Sequence, residues 1–281
     1  MNKIFHRSLM AALLWIGLAA LPNSASATHS WGNYHWARTS NPFTLKLGDN
    51  VSSAWDSYLA TASSNWTDST VMNTAIVAGA GGNPRRCTAT TGRVEVCNTT
   101  YGNNGWLGVA SIWASGSHIV KGTVKLNDTY FKTATYNTPA WRQMVMCQEI
   151  GHTFGLDHQD ENFANANLGT CMDYTSDPLA LASPPLQVKD NQSPNQHDYD
   201  ELVTIYTHPD STTTVGQTVQ SGPGKGQMPS AFTDTDSDEP VQLGTAQWGK
   251  LVRSTNHGRT EVFELDLGRG QKMVTFVIWA D

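Results

Sequence analysis

The strongest constraint on this chain lies in one short stretch, Cys147-Gln148-Glu149-Ile150-Gly151-His152-Thr153-Phe154-Gly155-Leu156-Asp157-His158. Gln148 and His152 stand one helical turn apart, so on a helix their side chains leave from the same side, with Glu149 one residue round. Gly155 can take a positive φ, end that helix and fold the chain back. The return brings His158 toward the same point from a third direction. Two imidazoles, one more ligand and an open position for water make up a catalytic zinc site. Zinc would acidify the water, and Glu149 would take its proton and pass it to a leaving amine.

A helix is predicted over Pro139 to Phe154: Thr138 caps it, Pro139 takes its first position, and Gly155 stops it. Trp141 and Val145 share the side of Gln148 and are expected to pack. Met146, Ile150 and Phe154 should face the core. Upstream, Phe43 to Leu47 alternates as a strand. Val51, Trp55, Leu59, Ala62 and Trp66 recur at helical spacing, with Asn50 or Ser52 as cap. Val71 to Val77 reads as a strand and Thr88 to Thr100 as a hairpin. Leu107 to Trp113 and His118 to Leu126 read as further strands. A last helix is expected over His197 to Tyr206. The pattern predicts an α+β fold, a mixed α/β sandwich.

Residues 1–27 read as a secretory signal: a basic start at Lys3, His6 and Arg7, an apolar run from Leu9 to Leu21, and Ala25-Ser26-Ala27 for cleavage. The run of about 13 residues is short for a membrane span, and no long apolar stretch follows it. The protein is therefore expected outside the cell, with no membrane partner after cleavage. The formal charge of −6 becomes more negative once Lys3 and Arg7 are removed, which disfavours nucleic acid as a partner. Only 15% of residues are charged, below the usual quarter. In an oxidising compartment the four cysteines favour two disulfides, Cys87–Cys97 and Cys147–Cys171 being the preferred pairing of three possible ones. No C-x-x-C spacing supports a zinc-thiolate alternative. The main domain is placed at 28–209, a flexible linker of Ser, Thr, Gly, Pro and Asp at 210–240, and a small β segment or module at 241–281.

With His at position 148 the central stretch would read H-E-x-x-H-x-x-G-x-x-H, and in this respect the chain resembles the metzincin zinc proteases. Gly169-Thr170-Cys171-Met172-Asp173-Tyr174 resembles that family's Met-turn, in which the methionine forms an apolar floor beneath the metal ligands. The stretch from about Tyr34 to Pro178 is similar to a matrixin-like secreted catalytic domain. The resemblance implies a twisted, mainly parallel sheet with an active-site helix. It implies zinc held by His152, His158 and Gln148, Glu149 as base, and Tyr174 as oxyanion stabiliser or extra ligand. The substrate would be a protein or peptide, added as a strand to a sheet edge near His118. The enzyme is expected to be monomeric. The first cysteine lies at 87, inside the domain, so no cysteine-bearing propeptide is expected.

The departure is Gln148, an amide where the family has an imidazole. An amide oxygen is a weaker zinc donor, better matched to harder ions. Two functions follow: a secreted zinc metalloendopeptidase working with a Gln–His–His site, or an extracellular binding protein on the same fold that cleaves nothing. Asp157, Asp160 and Glu161 could hold Ca2+ but read better as solvated charge, as do Asp234, Asp236, Asp238 and Glu239. Trp248 and Trp279 hint at carbohydrate or surface binding, or equally at the core of the C-terminal segment.

Overall fold

A computed structural model of the protein describes residues 29–163, 165–180, 189–216, 247–255 and 258–280. The expected signal and most of the expected linker, with its acidic cluster at 234–239, lie outside the described residues. In chain order the elements are β1 (His35–Trp36), β2 (Phe43–Asn50), α1 (Asp56–Trp66), β3 (Met72–Ala78), β4 (Val94–Thr99), β5 (Trp106–Ser115), β6 (His118–Asn127), α2 (Pro139–His152), α3 (Gln196–Ile205), β7 (Lys250–Thr255), β8 (Thr260–Gly268) and β9 (Gln271–Trp279). The fold is mixed α/β. No described helix is long and apolar enough to cross a membrane.

All the strands join one sheet, ordered β3-β2-β4-β6-β5-β9-β8-β7, with β1 added beside β6. The half built from β1 to β4 and β6 is parallel. From β5 onward every pairing is antiparallel. The C-terminal segment is therefore a continuation of the main sheet: β9 runs along β5 from Trp106↔Trp279 to Ser115↔Gln271.

Successive strand residues face opposite sides, and the two faces carry different cores. Ala110, Ile112, Val124 and Phe276 pack with Trp66, Met144, Ile150 and Phe154 of the helical layer. Val109 and Val277 turn the other way and pack with Tyr101, Trp106, Trp248 and Phe263. Trp248 is thus a buried core residue, and the hint of a surface-binding aromatic at that position falls away.

Four local expectations need correction. No hairpin forms over 88–100; only β4 is a strand, and it lies parallel between β2 and β6, with Val94 and Val96 buried in the core. Helix α1 has Trp55 at its N-cap position and no side-chain cap, since Asn50 and Ser52 are bound to Glu95 and Asn98 instead. Residues 210–216 are docked: Asp210 N donates to Arg38 O at 2.7 Å, and Thr214 N to Ala37 O at 2.9 Å. His118 lies at the start of β6, which is flanked there by β1 and β5 and is not an edge strand.

Candidate metal centre

Helix α2 begins as its sequence dictates. Thr138 Oγ1 accepts from Trp141 N at 3.2 Å, and Pro139 occupies the first turn, where its missing N–H costs nothing. The helix carries Gln148, Glu149 and His152 and is buried along both sides, which fits its apolar neighbours Met144, Val145, Met146 and Ile150. Gly155 ends the segment at φ +95°, where a Cβ would meet Tyr34 O at 2.1 Å. Both the backbone angle and the close approach require glycine there. The chain then returns to place His158 beside His152, their Nε2 atoms 2.9 Å apart.

The turn at Met172 packs under this helix. The Cys147–Cys171 disulfide ties it to α2 directly, and Cys87–Cys97 closes the other pair. Thr170 Oγ1 accepts from Met172 N, while Asp198 Oδ2 at the start of α3 accepts the Thr170 hydroxyl. Met172 Sδ approaches the helix so closely that a Cβ on Gly151 would sit 2.6 Å from it. The methionine therefore lies against the turn of helix that carries His152. Tyr174 lies against His158 with ring centroids 4.2 Å apart and planes tilted by 32°, and its hydroxyl faces Thr260 outside normal hydrogen-bond geometry.

The polar atoms around the two imidazoles form an incomplete set. His152 Nδ1 lies 2.9 Å from Leu156 O, a carbonyl that can only accept, so the ring proton sits on Nδ1 and the Nε2 lone pair points at His158. If His158 protonates Nε2 to satisfy it, its Nδ1 lone pair faces the Asp157 carboxylate 3.5 Å away. If His158 instead protonates Nδ1, two lone pairs face each other. Burial, and then the neighbouring His158, push His152 well below the usual histidine range, and burial also lowers His158. Both shifts favour the neutral ring, the form a metal requires. Gln148 Nε2 donates to Cys171 O at 2.7 Å, which fixes the amide orientation and leaves Oε1 buried without a partner. Glu149 Oε2 is likewise buried and orphaned. Burial raises the Glu149 carboxyl well above the carboxylate range, against a stabilising N–H from Ala110 of β5.

These residues fit zinc in donor chemistry. A cation between the two Nε2 atoms resolves the tautomer conflict, and an orphaned amide oxygen stands one helical turn before His152. Ligand nitrogens around tetrahedral zinc lie about 3.3 Å apart, so the imidazoles need to open by only a few tenths of an ångström.

Two groups the sequence left unassigned complete the picture. Arg253 of β7 forms a bidentate ion pair with Asp157, stacks over Trp31 at 4.6 Å, and lies 3.3 Å from Glu161. Asp157 is therefore buried and paired rather than solvated, and its carboxyl is held low: burial opposes ionisation, but His158 and Arg253 outweigh it. Of the three carboxylates considered for Ca2+, Asp157 and Glu161 are paired with the Arg253 guanidinium, while Asp160 accepts from Asn162 N at 2.8 Å. Phe276 of β9 stacks face to face on His152, ring centroids 4.4 Å apart and planes within 3°. As a result Gln148, Glu149, His152 and Tyr174 are each no more than 2% exposed. A lone Arg and a lone Phe in two alternating strands carried no signal of this; only the pairing of β9 with β5 brings them here.

No protein-family model matches the sequence, and no curated protein does. Among solved structures the chain is similar to myroilysin, at 11% identity over 64% of this chain and 98% of that one, with a TM-score of 0.35. It is also similar to high choriolytic enzyme 1, a hatching-enzyme zinc protease of the medaka fish Oryzias latipes, at 10% identity over 62% of this chain and 94% of that one, with a TM-score of 0.34.

Proposed function

We propose that this chain is a secreted zinc metalloendopeptidase whose centre its own C-terminal strands hold closed. The observation that carries the reading is the meeting of His152 Nε2 and His158 Nε2 at 2.9 Å, with two buried, unpartnered oxygens, Gln148 Oε1 and Glu149 Oε2, on the same helix as His152. His152, His158 and Gln148 would hold the ion. Zinc bound there would supply an acidified water and polarise a peptide carbonyl. Glu149 would hold and deliver the proton, since its carboxylate pKa is already raised by burial. The Tyr174 hydroxyl would donate to the developing oxyanion. The two disulfides suit an oxidising compartment, in keeping with residues 1–27 as a signal.

An extended substrate peptide would pair with a sheet edge. On β5, the strand that faces Glu149 through Ala110, that edge is taken by β9. This pairing and the Phe276 stack favour a second reading, a protein of the same fold that binds without cleaving. The test is cleavage of a denatured protein by the purified mature chain, with and without a zinc chelator, beside Glu149→Ala. Cleavage lost in both cases is the expected result. A chain that stays inert with added zinc, and that Gln148→His fails to rescue, would leave only the binding role.

A further inference from the structure

Three histidines outside α2 converge on a single carboxylate oxygen. His118 Nε2 lies 3.2 Å, His35 Nε2 3.4 Å and His208 Nε2 3.8 Å from Asp210 Oδ1. The residues come from β6, β1 and the segment after α3, so the fold alone assembles them. The other carboxylate oxygen, Oδ2, is engaged by Arg38 through its backbone N–H at 3.1 Å and Nη1 at 2.8 Å. That grip orients Asp210 and leaves Oδ1 as the free donor.

The orientation of His35 aims one nitrogen at the cluster. Its Nδ1 lies 2.7 Å from Asn33 O, a carbonyl, so a proton sits on Nδ1. Nε2 is then the atom turned to Asp210 Oδ1, where it can donate as an imidazolium or, in the neutral ring, bind a cation. His35 itself is buried. The His118 and His208 rings stand nearly perpendicular to His35, at 84° and 79°, with centroids 5.0 Å away in each case. Each ring thus offers its own in-plane nitrogen. Zinc ligands about 2.0–2.1 Å from the ion lie about 3.3 Å from one another, which the separations of 3.2, 3.4 and 3.8 Å bracket. His35, His118 and Asp210 already hold their ligand atoms within 4.8 Å of each other. His208, the most exposed of the four, stands 3.8 Å from Asp210 Oδ1 and would complete the set by turning its ring toward it.

We propose that His35, His118, His208 and Asp210 form a second zinc site, a closed N3O set that clasps the N-terminal strand, the sheet and the segment following α3. Four protein ligands leave no open position, so the role is structural. The site does not depend on the reading of the α2 centre, and its test does not use activity.

The test counts metal in the purified mature chain, loaded with Zn2+ and dialysed, and records the absorption of the Co2+ form. His118→Ala and the His118→Ala/His208→Ala pair change partly exposed side chains and leave the buried Arg38–Asp210 pair in place. Each variant should lose one equivalent of zinc relative to the parent, or bind that equivalent at least 10–100-fold more weakly, and should lose a tetrahedral Co2+ signature. A parent with two equivalents falling to one means both centres exist; a fall from one to none means only this one does. A variant with the parent's full metal content and spectrum, or a parent that takes up no zinc at all, overturns the proposal.

Discussion

Asp173 sits inside the turn that carries Met172, fully buried, accepting from Leu168 N at 2.8 Å and from Asn191 Nδ2 at 2.9 Å on one oxygen while the other is orphaned. Burial pushes its carboxyl up to about 6 despite those donors. The native state thus holds a proton that the unfolded chain releases near 4. The resulting stability is complete below about pH 4 and is lost as pH rises through 6. Thermal unfolding should therefore move to lower temperature between pH 4 and pH 7, by a stability change on the order of 2–3 kcal/mol at most. In Asp173→Asn that slope should flatten, and an unchanged slope would place its origin elsewhere. Gln148 illustrates a different limit at this scale. Its sequence position marks it as a substitute ligand, yet nothing in the sequence says that its amide nitrogen is bound to Cys171 O. That bond needs the disulfide and the Met172 turn to be in place.

Among the elements, α2 was the most legible in advance. Thr138, Pro139 and Gly155 mark its limits, and the structure ends it two residues before Phe154, where Thr153 turns into the loop. The pairings Cys87–Cys97 and Cys147–Cys171 also match expectation. What stayed hidden were strand partners, because alternation reports a strand but not its neighbour. Thr88 to Thr100 has the composition of a hairpin, and only the parallel neighbours β2 and β6 reveal β4 as a central strand. The docking of the Met172 turn on α2 makes its own prediction. Replacing Cys147 and Cys171 together by Ser should cost about 2–4 kcal/mol in denaturant unfolding. It should also weaken zinc at the α2 centre, because Gln148 is bound to Cys171 O. Loss of stability with zinc affinity intact would show that this turn does not position the ligands.

On the scale of the whole molecule, the centre lies where the parallel and antiparallel halves of the sheet meet, and the last strands close over it. Arg253 is the clamp best suited to a test, since its removal leaves the core intact. Arg253→Ala should raise hydrogen exchange in β9 and at the end of α2, and should increase any zinc-dependent cleavage. Unaltered exchange at both places would show that β9 is held by the sheet alone. The cover over the centre consists of contacts between very distant parts of the chain: Arg253 and Asp157 are 96 residues apart, and the Ser111–Thr275 hydroxyl pair spans 164. Such contacts form late, after a large loop-closure cost. A nascent chain emerges with β5 and both histidines long before β9 exists to cover them. For that interval it presents an apolar strand edge and a ligand pair open to whatever metal is at hand, which makes the time before β9 emerges the period of greatest exposure to mispairing and aggregation.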